Sequence, residues 1–521
     1  MFILVDGNRC CIPLEAIPPD VKSKIINELT IETKTFTGKI FQHKYFDLKG
    51  DDMWLPRHYG VNLLKSISQG ITVNMTDGNE IPKDRLKEKN FNMTPMQENY
   101  GKNLIKNHFS RRAIQTGGAG AIAVLPTGSG KTFIGMAFLR FFGRKTLWIT
   151  NSDVSVAKTK RLIKECNPGL LVATFDDVYS RTISLDNCDV LIATVHRFIL
   201  PYSQFRRDVE NAKLFANSIG CVIYDEIHTL GGPEFGKVFD LFSPKIQLGL
   251  SATPTRRDKA ELKYILTVGP PFELEGIEPP TYPTRVLAVH FNNPITDKYK
   301  KWLYRDTAKK NLDIANTIRN ITSDPDRRPI LRRAIHDCLV RGEDVMGIDH
   351  PVCTNVGPSI IIFCNYHDEI DNMVHYLEGL VDEAKIKFEA GETQYAPWVN
   401  LQIHTLTAKT PPLAANDAIS NARIIVTNYF KLSTAFSEER FIYCIIWSTT
   451  KTQITQAVGR VGRYCDYYKE WNDRLRIIYD IVDDGGSLSA IQYNYRQEQY
   501  RNLGFNIRTL RWDPLKKDYM E

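Results

Sequence analysis

Two clusters in this chain have the residue types and spacing for chemistry on phosphates. The first is Leu125-Pro126-Thr127-Gly128-Ser129-Gly130-Lys131-Thr132. It follows a short apolar run, 121–124, that reads as a buried strand, and precedes 133–139, which reads as the first turns of a helix. Strand, glycine loop and helix in that order cradle an anion, because glycines let backbone N–H groups converge and the helix N-terminus adds its positive dipole end. Thr127, Gly128, Ser129 and Gly130 supply the loop, Lys131 reaches the β- and γ-phosphates, and the Thr132 hydroxyl ligates Mg²⁺. Leu125 stands where the phosphate-loop pattern has Gly. The chain is expected to bind a nucleoside triphosphate, with ATP and Mg²⁺ as cofactors.

The second cluster is Asp225-Glu226-Ile227-His228, delivered by the apolar run 220–224. Adjacent acids are commonly a solvated turn, but a hydrophobic strand brings these two to the edge where such sheets bind ligands. Asp225 would hold the Mg²⁺, and Glu226 would orient and deprotonate the attacking water. His228 can bridge toward a neighbouring domain. Ser251 and Thr253, after the run 245–250, can hydrogen-bond the acidic loop on one side and a second domain on the other. Gln97, upstream of the loop, is placed to read the adenine edge with its amide.

The elements that must position these residues alternate apolar runs with stretches of helical period, the mark of parallel sheets wrapped on both faces. The 521 residues allow three or four domains. Residues 1–90 read as a small mixed α/β module. Its aromatics, interleaved with Lys39, Lys44, Arg57 and His58, either stack bases beside cations that pair phosphates or form the module's core. Residues 83–92 read as a linker. The stretch 297–342 reads as helical and basic, with Lys300, Lys301, Lys309, Lys310, Arg327, Arg328, Arg332 and Arg333 offering charge to phosphates or facing solvent. The polar and aromatic end of the chain receives no role.

Composition narrows the class. Net charge is +7, mild enough for an enzyme on polyanions or for many other soluble proteins. The 10 cysteines are scattered without a Cys-x-x-Cys pair, which suits buried thiols in a reducing, intracellular compartment rather than a disulfide or zinc scaffold. No apolar run approaches the roughly 18 residues of a membrane span, and the start, reaching Asp6 at once, lacks the features of a signal peptide.

The ordered set of Gln97, the glycine loop, Asp225 to His228, Ser251-Ala252-Thr253-Pro254 and Gln456-Ala457-Val458-Gly459-Arg460-Val461-Gly462-Arg463 resembles the superfamily 2 DExH helicases and translocases over residues 93–480. Its form is closer to the XPB/RecG-like DNA translocases than to DEAD-box RNA helicases. The overall plan is similar to the transcript-release helicases of poxviruses, and more so to their asfarvirus counterpart. The resemblance implies an α/β fold of two tandem RecA-like domains with parallel sheets, plus a small N-terminal α/β module. The expected spans are 1–90 accessory, 91–285 first RecA-like domain, 286–350 helical connector, 351–490 second domain and 491–521 tail.

It further implies an ATP hydrolase with nucleic acid across both domains, DNA favoured and RNA the alternative, and transcription machinery as a partner. A location in host cytoplasm and virion goes with that viral likeness. Arg463 fits the arginine finger that neutralises charge developing on the γ-phosphate, with Arg460 beside it, and Gln456 contacts the nucleotide or the attacking water. Two departures stand out. The family's Gly and Asp after Thr427 are missing from Asn428-Tyr429-Phe430, and a proline-containing loop is replaced by Thr150-Asn151-Ser152-Asp153. Those loops bear on coupling, which keeps an ATP-switched clamp with slow turnover as a further reading.

Overall fold

The computed structural model describes the chain except residues 1–2, 7, 35–39, 65–70, 88–91, 127–128, 181, 185, 200–208, 257–258, 276–282, 293–300, 307–310, 340–358, 400, 408–409, 412–413, 415–420, 430–440, 451–453, 459–475, 485–486 and 521. It forms two compact units, Met1–Pro279 and Pro280–Glu521.

In the first unit the apolar runs become a parallel sheet in the order Val172–Thr174, Val190–Thr194, Thr146–Thr150, Cys221–Asp225, Ile246–Ser251, Ala119–Val124 and Pro271–Phe272. Its central strands are buried along their whole length because both faces are covered, so alternation with polar residues is lost. Side-chain alternation survives in which core each residue joins: Trp148 packs into one cluster, Leu147 and Ile149 into the other. The strand Ile246–Ser251 lies between the glycine-loop strand and the acidic strand. Its register pairs Ser251 with Val124 on one side and Leu250 with Asp225 on the other. Three chain segments therefore leave the sheet side by side at its carboxyl edge.

The N-terminal sheet runs Asp47–Lys49, Asp52–Pro56, Arg9–Pro13, Ile3–Asp6, Ile71–Asn74, all antiparallel but for the last pairing. Cys10, Ile12, Ile25, Leu29, Met53 and Leu55 fill its core, with Tyr45, Phe46 and Tyr59 packed against it. Arg57 corrects one expectation. It is buried rather than offered to phosphates, and donates to the carbonyls of Pro244 (3.0 Å) and Val268 (3.5 Å) in the neighbouring parallel-sheet domain. Burial without a carboxylate partner pulls its pKa down to about 10. Lys39 lies outside the described residues, and Lys44 is exposed. The span read as a linker is fastened: Arg85 pairs with Asp189 at 3.1 Å, and Leu86 packs against the domain core.

The second unit has an eight-stranded sheet ordered Ile403–Leu406, Ile424–Asn428, Ile360–Cys364, Tyr443–Ile446, Arg476–Asp483, Thr284–Phe291, Asn506–Asp513, Asp518–Met520, parallel except for the last strand. Four of these strands, Thr284–Phe291, Ile403–Leu406, Asn506–Asp513 and Asp518–Met520, fall where the sequence suggests none. Thr284–Phe291 precedes the basic stretch yet lies deep in the sheet, and Asn506–Asp513, from the end of the chain, hydrogen-bonds it. The sheet thus draws on the spans expected as connector and as tail. A central position needs apolar residues on both faces, and Val286, Leu287, Ala288 and Val289 supply them.

The basic stretch contains helices Ile314–Thr322 and Arg327–Leu339. Several of its described cations are spent internally: Arg327 on Asp483, Arg332 on Glu383 at 3.0 Å, Arg333 on Asp337 at 3.0 Å. Lys300, Lys309 and Lys310 lie outside the described residues.

The architecture is α/β with two tandem RecA-like domains and a small N-terminal α/β module. All eight described cysteines are free thiols, seven of them buried. Among the described residues no helix is long and apolar enough to cross a membrane, and no group of three His, Cys, Asp or Glu is placed to hold a metal.

Candidate nucleotide site

The glycine loop leaves strand Ala119–Val124 through Leu125, which is fully buried and whose N–H donates to the carbonyl of Ser251 at 3.1 Å. A side chain at this first loop position is tolerated because it turns into the core. Ser129 closes a turn onto the carbonyl of Pro126 through both its N–H (3.3 Å) and its hydroxyl (2.7 Å). Gly130 sits at φ +82°, in the left-handed region, as N-cap of helix Lys131–Phe142. The backbone angle calls for glycine, and a Cβ there would come within 2.2 Å of Gln97 Nε2 and displace that amide. Thr127 and Gly128 lie outside the described residues.

Gln97 is the nearly buried partner of this turn. Its Oε1 accepts from the N–H of Thr94 (2.9 Å), while Thr94 Oγ1 accepts from the N–H of Gln97 (3.3 Å), which is a capping box on helix Pro95–His108. The remaining amide end donates from Nε2 to the carbonyl of Ser129 at 3.0 Å. The glutamine is therefore built into the loop's wall.

At the carboxyl end of Cys221–Asp225 the backbone turns sharply. Glu226 adopts φ 48°, ψ 51°, a left-handed conformation that costs a non-glycine residue about 1–3 kcal/mol and persists only where its surroundings enforce it. The turn aims the carboxylate at the loop, with Oε1 3.8 Å from Lys131 Nζ. Glu226 Oε2 is buried without a hydrogen bond and lies 3.5 Å from His228 Nδ1. Asp225, the last residue of the strand, is half-buried beside it. Burial, then the neighbouring Glu226 charge, push its carboxyl up to about 7, against the pull of Lys131.

His228 continues the chain of contacts. Its Nδ1 is 2.9 Å from Ser251 Oγ, which in turn accepts the N–H of Thr253 at 3.1 Å. Burial holds the imidazole below its ordinary pKa, outweighing Glu226, so the ring is neutral near pH 7. Arg256 donates to the carbonyl of His228. Sequence reasoning gave Arg256 no task; its signal was its place directly after Ser251-Ala252-Thr253-Pro254-Thr255.

One edge of the first sheet thus gathers Gln97, Ser129, Gly130, Lys131, Asp225, Glu226, His228, Ser251 and Thr253, with Thr132 following Lys131 in the helix's first turn. Gln456 lies on helix Ile454–Val458 in the second unit. Arg460 and Arg463 are outside the described residues. A divalent cation suits the first edge chemically: the Asp225 carboxyl, the unpartnered Glu226 oxygen and the Thr132 hydroxyl are hard oxygen donors.

Residues 90–256, which contain this site, match the family described as the res subunit of type III restriction enzymes. The chain is similar to superfamily 2 helicases. It is 29% identical over 155 residues to the DNA 3'-5' helicase XPB of Mycobacterium tuberculosis, a stretch covering 30% of this chain and 27% of that protein. It therefore spans well under half of the XPB helicase it matches. Over 94% of its length it is 20% identical to a protein of Acanthamoeba polyphaga mimivirus whose name assigns it, provisionally, to the ATP-dependent RNA helicases; 83% of that protein is covered. A solved fragment of an HsdR subunit of a type I restriction enzyme from Vibrio vulnificus shares 14% identity at a TM-score of 0.49, covering 81% of this chain and 70% of that one.

Proposed function

We propose that the chain is an ATP-dependent nucleic-acid translocase or helicase, with DNA the favoured track and transcript release or genome maintenance in a large DNA virus the process served. The observation that carries this reading is the convergence of Lys131 and Glu226, 3.8 Å apart, at a strand edge that also carries the half-buried Asp225. Lys131 binds the β- and γ-phosphates, and the N-terminus of helix Lys131–Phe142 adds its dipole. Thr132 and Asp225 hold Mg²⁺, which when bound neutralises phosphate charge. Glu226 Oε2, buried and unbonded, accepts the proton of the attacking water.

In the same proposal Gln97 contacts the base from its place in the loop wall, and Gln456, Arg460 and Arg463 complete hydrolysis. Neutral His228, through Ser251 and Thr253, passes the state of Glu226 to the rest of the protein. The viral setting, host cytoplasm and virion, and transcription machinery as partner are part of the same proposal, taken from the motif resemblance to poxvirus and asfarvirus transcript-release helicases. The viral setting is supported by the mimivirus relative. The relative named among RNA helicases favours RNA as the second reading.

The test is steady-state ATP hydrolysis without nucleic acid and with single-stranded, duplex and forked DNA and with RNA. DNA-stimulated turnover is expected. Stimulation by RNA alone moves the track to RNA, and tight nucleic-acid binding with negligible turnover favours an ATP-switched clamp.

A further inference from the structure

The four residues that follow strand Tyr443–Ile446 are held in an unusual way. Each of their backbone carbonyls accepts from a side chain of a different element, three of them buried and Asn365 half-buried. Arg327 donates to Trp447 O, Tyr429 to Ser448 O at 2.6 Å, Asn365 to Thr449 O at 2.8 Å and Arg496 to Thr450 O at 3.0 Å. The Ser448 hydroxyl donates to Glu369 at 2.6 Å, and Arg496, locked on Asp480, also donates to the Thr449 hydroxyl at 2.9 Å. A turn whose carbonyls are all captured by side chains has one conformation available to it.

The chain then reaches helix Ile454–Val458, which carries Gln456. Ile454, Ala457 and Val458 pack in one cluster with Phe363, Tyr429, Tyr493 and Tyr500. Among the groups that hold the turn, Tyr429 is the neutral one on the strand Ile424–Asn428 side, directly after the position where the sequence departs from its resemblance. Its ring is stacked on Phe363 with centroids 4.9 Å apart and planes 7° from parallel. Ring and hydroxyl have separable tasks: the stack fills the core, and the hydroxyl sets the Ser448 carbonyl.

We propose that Tyr429 is a positioning residue, whose hydroxyl fixes the exit of residues 447–450 and thereby the placement of helix Ile454–Val458. Its catalytic consequence rests on the ATP-hydrolysis reading above; its structural consequence does not. A tyrosine hydroxyl thereby links the end of one strand to the turn after another.

The test is Y429F in the full chain, which keeps the stacked ring and removes one oxygen. Amide hydrogen exchange of residues 454–458 is expected to quicken about tenfold, the loss of one buried hydrogen bond, while strand Tyr443–Ile446 keeps its protection. ATP hydrolysis is expected to lose kcat on the order of 10-fold at an unchanged KM for ATP, since a small misplacement of a group far from the phosphates acts on the reacting geometry. A variant with unaltered exchange at 454–458 overturns the proposal, as does a lowered melting temperature with kcat per folded molecule intact. If wild-type protein hydrolyses no ATP, the hydrolysis reading fails while the exchange comparison still decides the role of Tyr429. Should Y429F not fold, wild-type exchange decides: amides 454–458 exchanging at the rate of a frayed end would refute a fixed turn.

Discussion

Asp225 makes the nucleotide-free first unit sensitive to pH in a direction opposite to that of most carboxylates. Its folded pKa is raised to about 7, by burial first and by Glu226 second. The unfolded chain returns it to the ordinary range near 4. Between those values the folded state binds the proton and the unfolded state does not. Stability is therefore fully present below about pH 4 and is lost as pH rises through about 7. Holding a carboxyl at about 7 instead of near 4 corresponds to about 4 kcal/mol, an upper figure for this one group.

The perturbation is D225N, an isosteric amide that cannot ionise. Denaturant unfolding of wild type and D225N at pH 5 and pH 8, without nucleotide or metal, isolates the group from the titration of any ligand. D225N is expected to gain on wild type by about 2.5 kcal/mol between those pH values, in a transition belonging to the first unit. The same variant is expected to flatten, relative to wild type, the rise of Mg²⁺-nucleotide affinity between pH 6 and pH 8, leaving the part that comes from the nucleotide's own phosphate titration. Parallel pH profiles for the two proteins would refute the reasoning, since they would mean that Asp225 is ionised in the free protein throughout.

Three other outcomes follow from the same geometry. E226Q is expected to bind ATP like wild type, by fluorescent-nucleotide titration, yet to lose 10²–10⁴-fold in kcat, the contribution of a general base; undiminished turnover would move the base elsewhere. K131A is expected to weaken nucleotide binding itself by about 1.5–3 kcal/mol, the worth of a charge-assisted hydrogen bond, measured by calorimetry. R57A is expected to destabilise the first unit by about 3 kcal/mol because two buried carbonyls lose a charged donor, read as a lowered denaturation midpoint with nucleotide affinity preserved in the folded fraction.

How much of this could be read from residues alone depended on how local the cause was. The glycine loop, the acidic strand end and Ser251 were legible because each follows an apolar run that can only be a buried strand. Their adjacency was not, since it comes from the register that pairs Ser251 with Val124 and Leu250 with Asp225. Gln97 was visible as a candidate, but its tie to Ser129 needed three dimensions. Arg57 misled, because a cation among aromatics looks the same whether it faces solvent or caps buried carbonyls. Strand Thr284–Phe291 was passed over for a related reason: its apolar run is only four residues, Val286 to Val289, flanked by Arg285 and His290, and its partners lie far along the chain. Tyr429 carried no local signal, since its importance is a single oxygen against the carbonyl of Ser448.

The order of the second sheet has a consequence for biosynthesis. Strand Thr284–Phe291 leaves the ribosome early, yet both of its hydrogen-bonding neighbours, Arg476–Asp483 and Asn506–Asp513, are made about 200 residues later. Until then it is a bare apolar edge, of the kind that pairs with other nascent chains. The first unit, whose described strands are all translated by residue 272, can be finished while the second still waits for strand Asn506–Asp513. A premature stop anywhere in helix Leu488–Asn502 would leave the first unit's share of the nucleotide site tethered to a half-built, sticky sheet.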